Sequence, residues 1–409
     1  MRNLLRRHFE SRWGNVPVVL LVLLLGSIAT ILVTSSTPSA AGQGRLAALP
    51  LKVPTPADNP TTPERVALGR LLFWDPVLSG SKDVACATCH HPDFGYSDGL
   101  DLSIGANGVG LGAARAFAPG HPSRLVKRNS QTVLNVAFNG LTSDADSTPS
   151  VAPMFWDLRV HSLEKQALEP LKALEEMRGG GYAEDRAVAA VVARLTAIPE
   201  YRQLFAGAFG GTDAVNESNL GRALAAFQRT LVAANAPFDR YMRGEAAAMT
   251  PEQVRGMERF KSAGCINCHS GPMFSDFTAH VLGVPDNARL SASDSGVNGT
   301  YAFRTASLRN LSATGPYMHN GVFTTLPQVI NFYRRINRGG GRRGGRGAGS
   351  LNPQVRRDQV DPKARQLNMR GRGQGDLVAF LRALDDPGFD RTIPERVPSG
   401  LEVGGRLQP

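Results

Sequence analysis

Apolar residues recur at helical spacing in two corresponding parts of the chain. Leu220, Leu224, Phe227 and Leu231 form one stripe, and Leu377, Phe380, Leu381 and Leu384 form another. Steps of three and four residues put such side chains on one helix face. Two start signals stand upstream of these stripes, Thr62-Pro63-Glu64 and Thr250-Pro251-Glu252. Each reads as a capping Thr, a Pro at the first helical position and an acid in the first turn, with Gln253 completing a capping box in the second. A further helix is predicted around Val329–Tyr333. Gly99 to Gly120, rich in Gly and Ala, reads as a surface loop, and Gly339 to Gly349 (GGGRRGGRGAG) as a flexible cationic one. The N-terminus has a different pattern: Arg2, Arg6, Arg7 and Arg12 precede an apolar run from Val16 to Val33, then Ser-, Thr- and Ala-rich sequence around Ala40 and Ala41. That order marks an export signal, and a run of about 18 residues is long enough to span a bilayer. Residues 1–41 are therefore predicted to be a signal peptide or an N-terminal membrane anchor, placing the rest in the periplasm.

Composition narrows the picture. The chain has 409 residues, 42% of them hydrophobic, and a formal charge of +11, which fits a globular protein of two or three domains. Much of the arginine excess lies at the N-terminus and between Arg334 and Arg372. No nucleic-acid recognition motif accompanies it, so an acidic redox partner is the better match and nucleic acid is not expected.

The four cysteines fall as Cys86-Ala87-Thr88-Cys89-His90 and Cys265-Ile266-Asn267-Cys268-His269. Each is a complete C-x-x-C-H, the attachment signature of c-type haem. Two thiols three positions apart reach the two vinyl groups on one edge of a porphyrin, and the following His is placed to bind the iron. A lone C-x-x-C also fits a redox dithiol or half of a zinc site, but neither explains a His directly after both pairs. Two covalent haems account for every cysteine and leave none for the disulfides that an exported protein is free to form. A helix on either side of each haem motif predicts an all-α fold of two cytochrome c-like domains with long loops, residues 42–235 and 236–409.

With the haem motifs in place, the chain resembles the bacterial di-haem cytochrome c peroxidase family, which includes the MauG-type enzymes. The likeness covers about residues 60–390 and is carried, in order, by LGRLLFWDPVLS, CATCH, NSQTVLNVAFN, FWDLRVHSLEKQALEP, EEM, CINCH, FRTASLRNLSATGPYMHNG and LVAFLRAL. The resemblance implies that hydrogen peroxide reacts at the haem ligated by His90, and that the haem ligated by His269 supplies electrons. It implies that Glu176 is the acid/base that moves a proton between the peroxide oxygens, with Gln166 as an assisting amide. Trp156 matches the tryptophan between the two haems. Asn129, Thr314 and Pro316 match positions that hold a calcium ion, for which an amide oxygen and backbone carbonyls are suitable hard ligands. The plainer readings are a solvated helix carboxylate for Glu176, like its neighbour Glu175, and a core side chain for Trp156.

Two positions divide the family's branches. His121 matches the histidine that caps the peroxidatic haem in resting cytochrome c peroxidases; a solvent-exposed loop histidine is the alternative. Tyr333 falls where peroxidases place a methionine on the second haem and MauG-type proteins a tyrosine. A phenolate there stabilises oxidised iron and lowers the potential; Met318 and a plain core tyrosine are the rival readings. The resemblance thus implies a peroxide-using oxidoreductase fed by a small redox protein (a cytochrome c or a cupredoxin), or a MauG-like enzyme oxidising a protein side chain or organic substrate. It is compatible with a homodimer. A non-enzymatic electron-transfer cytochrome, a haem dioxygenase-like enzyme and a zinc-binding structural protein are the competing classes.

Overall fold

The computed structural model describes residues 45–408, apart from 122–123, 143–147, 339–350 and 370–372. The predicted leader 1–41 and the Gly339–Gly349 loop lie outside the described residues. Among those described, no helix is long and apolar enough to cross a membrane, and Gln43–Pro409 group as one compact unit.

The main helices are α1 (Pro63–Trp74), α2 (Ala187–Ala197), α3 (Pro199–Phe209), α4 (Glu217–Gln228), α5 (Pro251–Ser262), α6 (Leu326–Arg338) and α7 (Gln374–Arg382). Both predicted start signals hold. Thr62 Oγ1 accepts from Arg65 N at 3.4 Å. In the second, Gln253 N donates to Thr250 Oγ1 at 3.2 Å while Thr250 N donates to Gln253 Oε1 at 2.9 Å, a reciprocal capping box. Three two-stranded antiparallel ladders close turns between helices: β1 (Gly108–Val109) with β2 (Ala116–Phe117), β3 (Pro153–Met154) with β4 (Val160–His161), and β5 (Ala279–Val281) with β6 (Ala302–Arg304). The fold is therefore helix-rich, with short hairpins added to the all-α expectation.

The same packing device appears twice. Helix α1 crosses α4, and α5 crosses α7, the two most extensive helix contacts among the described residues. A glycine sits at each crossing. A Cβ on Gly69 would lie 2.0 Å from the Ala223 carbonyl oxygen, and one on Gly256 would lie 1.9 Å from that of Asp376. Only glycine lets the backbones approach so closely. Each crossing supports its own apolar cluster, the first containing Phe73, Tyr96 and Phe227, the second Phe238, Phe260, Phe274 and Phe380.

The chain ends cross between these clusters. Leu46 belongs to the second cluster, Gly271 N donates to Arg45 O at 2.7 Å, and Leu49 N donates to Asp239 at 2.9 Å. In return, Phe389 and Val397 pack in the first cluster, and Thr88 Oγ1 donates to Gly404 O at 2.7 Å. Each half thus borrows one end of the chain from the other.

The stretch from Gly99 to Gly120 departs from the surface loop expected. Residues Leu102 to Ala106 are buried, and so is Arg115. Its small residues permit close packing rather than flexibility: a Cβ on Gly105 would stand 2.1 Å from the Glu175 carbonyl oxygen.

Candidate active site

Both haem motifs open onto one cavity of about 870 Å3, lined by Cys86, Cys89 and His90 from the first and by Cys265, Cys268 and His269 from the second. The first Cys pair rides on a single helical turn, Cys86–Cys89, and the second on a tighter turn, Cys265–Asn267. In both, the fifth motif residue donates its backbone N–H to the first cysteine's carbonyl, at 3.0 Å for His90 and 2.9 Å for His269. The two imidazoles are then held alike. His90 Nδ1 lies 3.1 Å from Tyr96 O, and His269 Nδ1 lies 2.9 Å from Phe274 O. A carbonyl only accepts, so each Nδ1 carries the proton and each Nε2 keeps a bare lone pair, the arrangement found behind metal-bound histidines. Burial lowers the His269 pKa and pulls that of His90 down to about 4, so both rings are neutral.

Asn129, Trp156, Gln166, Glu176, Thr314, Pro316 and Tyr333 line the same cavity. The structure therefore brings together every site residue inferred from the sequence except His121, which is exposed and does not line the cavity. Glu176 sits in the π-helical turn Leu174–Arg178. Burial raises its carboxyl above the usual carboxylate range, with Arg159 acting in the opposite direction and Glu175 adding to the rise. A carboxyl so placed exchanges a proton closer to neutral pH than an exposed one does.

Trp156 is fixed at its ring and at its backbone. Its Nε1 donates to Asn129 O at 3.0 Å, and its carbonyl accepts from Arg304 N at 2.7 Å. Asn129 in turn donates Nδ2 to Leu100 O at 2.8 Å and its backbone N–H to His319 O at 2.8 Å, joining the two halves of the chain. Thr314 Oγ1 donates to Asn310 O at 3.2 Å, close in sequence to Pro316.

Tyr333 projects from α6 into the cavity, its phenol pKa raised by burial and further by the neighbouring Cys268 and Cys265. Met318 also lines the cavity, so geometry brings both candidate ligands to it.

Sequence reasoning missed several groups here. Arg304 is buried in the cavity wall and donates Nε to Phe155 O at 2.8 Å and Nη2 to Gln131 Oε1 at 3.3 Å. No carboxylate among the described residues forms an ion pair with it. His280, opposite Phe303 in the β5–β6 ladder, lies between Asp276 (2.9 Å) and Asp361 (2.7 Å). His319 stacks on Phe303 at 3.6 Å between ring centroids. None of these carries a recognisable local signature: apart from Asp276, four residues before His280, their partners lie distant in sequence.

The residues present fit haem. All four cysteines are free thiols, and burial pushes Cys86, Cys89 and Cys265 up to about 12, so they face the cavity uncharged. The cavity offers apolar walls for a porphyrin, two bare imidazole nitrogens for iron, and in Arg304 a buried cation lacking the carboxylate that a haem brings. These features define a di-haem c-type protein with one acid-bearing pocket.

The chain belongs to the di-haem cytochrome c peroxidase family: the model of that family, which includes MauG, matches residues 63–247. The methylamine utilization protein MauG of Methylorubrum extorquens is 36% identical over 366 residues, covering 87% of this chain and 89% of that protein. The cytochrome-c peroxidase IdrP1 of a Pseudomonas species is 36% identical over 401 residues, covering 89% of this chain and 91% of that one. Among solved structures, a MauG-like protein associated with microbial copper homeostasis matches with a TM-score of 0.65 and 27% identity, over 83% of this chain and 95% of that one. The chain is thus an oxidoreductase that uses haem and peroxide.

Proposed function

We propose that the pocket beside Cys86, Cys89 and His90 reduces hydrogen peroxide to water, with electrons arriving one at a time through the site of Cys265, Cys268 and His269. The observation that carries this reading is Glu176, a half-buried carboxyl of raised pKa facing the same cavity as the first haem motif. The haem, when bound, supplies the redox chemistry. Glu176 takes the proton that peroxide gives up and returns it to the oxygen that leaves as water. Gln166, which lines the same cavity, holds the peroxide by its amide. Trp156, clamped by Asn129 and Arg304, is the aromatic bridge for electrons. Asn129, Thr314 and Pro316 hold a calcium ion that ties the two halves together. Each half is a cytochrome c-like domain, residues 42–235 and 236–409 apart from the exchanged ends. Residues 1–41 direct export or anchoring, so the protein works in the periplasm with a small acidic redox protein as donor.

Tyr333 favours a second reading. A phenolate on the second iron in place of a thioether stabilises the oxidised form, so an oxidising equivalent is stored there and withdrawn by a protein or organic substrate, as in a MauG-like enzyme.

Stopped-flow mixing of the haem-loaded protein with peroxide, with and without reduced cytochrome c, tests both. Rapid sustained cytochrome oxidation supports the peroxidase. A long-lived oxidised spectrum with poor cytochrome turnover supports the MauG-like enzyme, and no reaction with peroxide contradicts both.

A further inference from the structure

The Glu176 carboxylate makes no side-chain hydrogen bond among the described residues, so its position depends on its backbone. That backbone is gripped from outside by Gly105 and Ala106, in the segment that leads into the β1–β2 hairpin. Ala106 N donates to Glu176 O at 2.9 Å. Gly105 packs so tightly that a Cβ on it would lie 2.3 Å from the Glu176 carbonyl oxygen. The segment's own shape is held by one side chain. Arg115 donates Nε to Ile104 O at 2.5 Å, Nη2 to Gly105 O at 2.9 Å, and Nη1 to Gly110 O at 2.9 Å and Arg406 O at 3.4 Å. It is only 5% exposed, and among the described residues no carboxylate is in ion-pair contact with it. A buried guanidinium without a paired anion is costly; here it is offset by carbonyls, three of them from the loop that Arg115 itself closes. Gly105 both accepts from Arg115 and touches Glu176.

We propose that Arg115 is a positioning residue for Glu176, acting through Gly105 and Ala106 to fix where the acid/base stands over the peroxide pocket. This rests on the reading of Glu176 as the proton-transfer group. The fork geometry of arginine is required, because three loop carbonyls must be reached at once from one side chain; a lysine ammonium reaches fewer of them.

The test uses the haem-loaded full chain and three variants, R115Q, R115K and E176Q. Two quantities are read: the rate constant for the first reaction with peroxide, and hydrogen exchange at the Ala106 amide. R115Q is expected to keep both haems and the wild-type KM for the electron donor. It should lose about 10- to 100-fold in the peroxide rate, the scale that a displacement of about 1 Å costs a reacting group, and the Ala106 amide should lose its protection. R115K should fall between R115Q and wild type on both measures, and it carries the test if R115Q does not accumulate. Wild-type values in R115Q, or in R115K where that variant stands in, overturn the proposal. So does a loss of rate with Ala106 still protected, or a lower Tm with rate and exchange unchanged. E176Q separates the two claims: if it alone keeps the wild-type rate, the acid/base reading fails, while the exchange result still decides whether Arg115 holds the loop.

Discussion

The two haem motifs are built alike around their cysteines and histidines and differ in the cavity-lining groups that stand near them. Each has a capped helix, a glycine at a helix crossing, a C-x-x-C-H turn and a histidine whose Nδ1 is tied to a backbone carbonyl five or six residues later. Of the groups lining the cavity, the carboxyl of Glu176 stands near Cys89 of the first motif and the phenol of Tyr333 near Cys265 and Cys268 of the second. In the proposed function, the carboxyl would move protons at the first iron and the phenol would ligate the second, so the repeated part would make two haem sites and the part that differs would divide their labour.

The largest effect expected follows from removing the carboxyl. Glu176→Gln should lower the rate of reaction with peroxide by about 10²- to 10⁴-fold while absorption spectra show both haems retained; a rate within threefold of wild type would erase the distinction between the sites. The wild-type rate should also fall as pH drops through the raised Glu176 value, at higher pH than for an ordinary carboxyl of about 4.3, and E176Q should lack this limb. The stability effect runs the other way. A folded-state pKa above the unfolded one contributes stability below the unfolded value and loses it as pH rises through the folded value. At neutral pH, E176Q should therefore melt no lower than wild type, which calorimetry of the haem-loaded form checks.

The phenol comes next. Tyr333→Phe should raise the potential of the second haem by on the order of 100 mV, within the span that axial ligands command, with the first haem unmoved in spectroelectrochemical titration. An unchanged second potential would return Tyr333 to the core and favour Met318.

The shared scaffold gives a smaller, symmetrical prediction. Gly69→Ala and Gly256→Ala each push a Cβ against a backbone carbonyl that has no rotamer to move. Each should cost about 1–3 kcal/mol, the usual penalty of overpacking. Because Leu46 and Phe389 pack in each other's halves, both variants should lower the midpoint of a single unfolding transition. Two separated transitions would mean that the halves are independent.

How far the sequence could be read follows the same division. Local chemistry was legible: the Thr-Pro-Glu starts, the apolar stripes of α4 and α7, and the C-x-x-C-H turns all depend on neighbours within a few residues. The resemblance added Glu176, Gln166, Trp156 and Tyr333, which the structure gathers on one cavity. What could not be read depends on contacts across the chain. Gly105 looked like a surface-loop residue because its partner, the Glu176 backbone, is some 70 positions away. Arg115 and Arg304 went unremarked because the carbonyls they bind carry no sequence signature. His121, inferred from its spacing to Asn129, stands exposed here.

Cyanide titration of the oxidised, haem-loaded protein tests the central asymmetry most directly. The proposed division, in which Glu176 would serve an open first iron and Tyr333 would ligate the second, predicts a single cyanide bound per chain, at the haem attached to Cys86 and Cys89. Two cyanides would show that Tyr333 does not close the second site, and none would show that the first is capped; either result contradicts this division of labour.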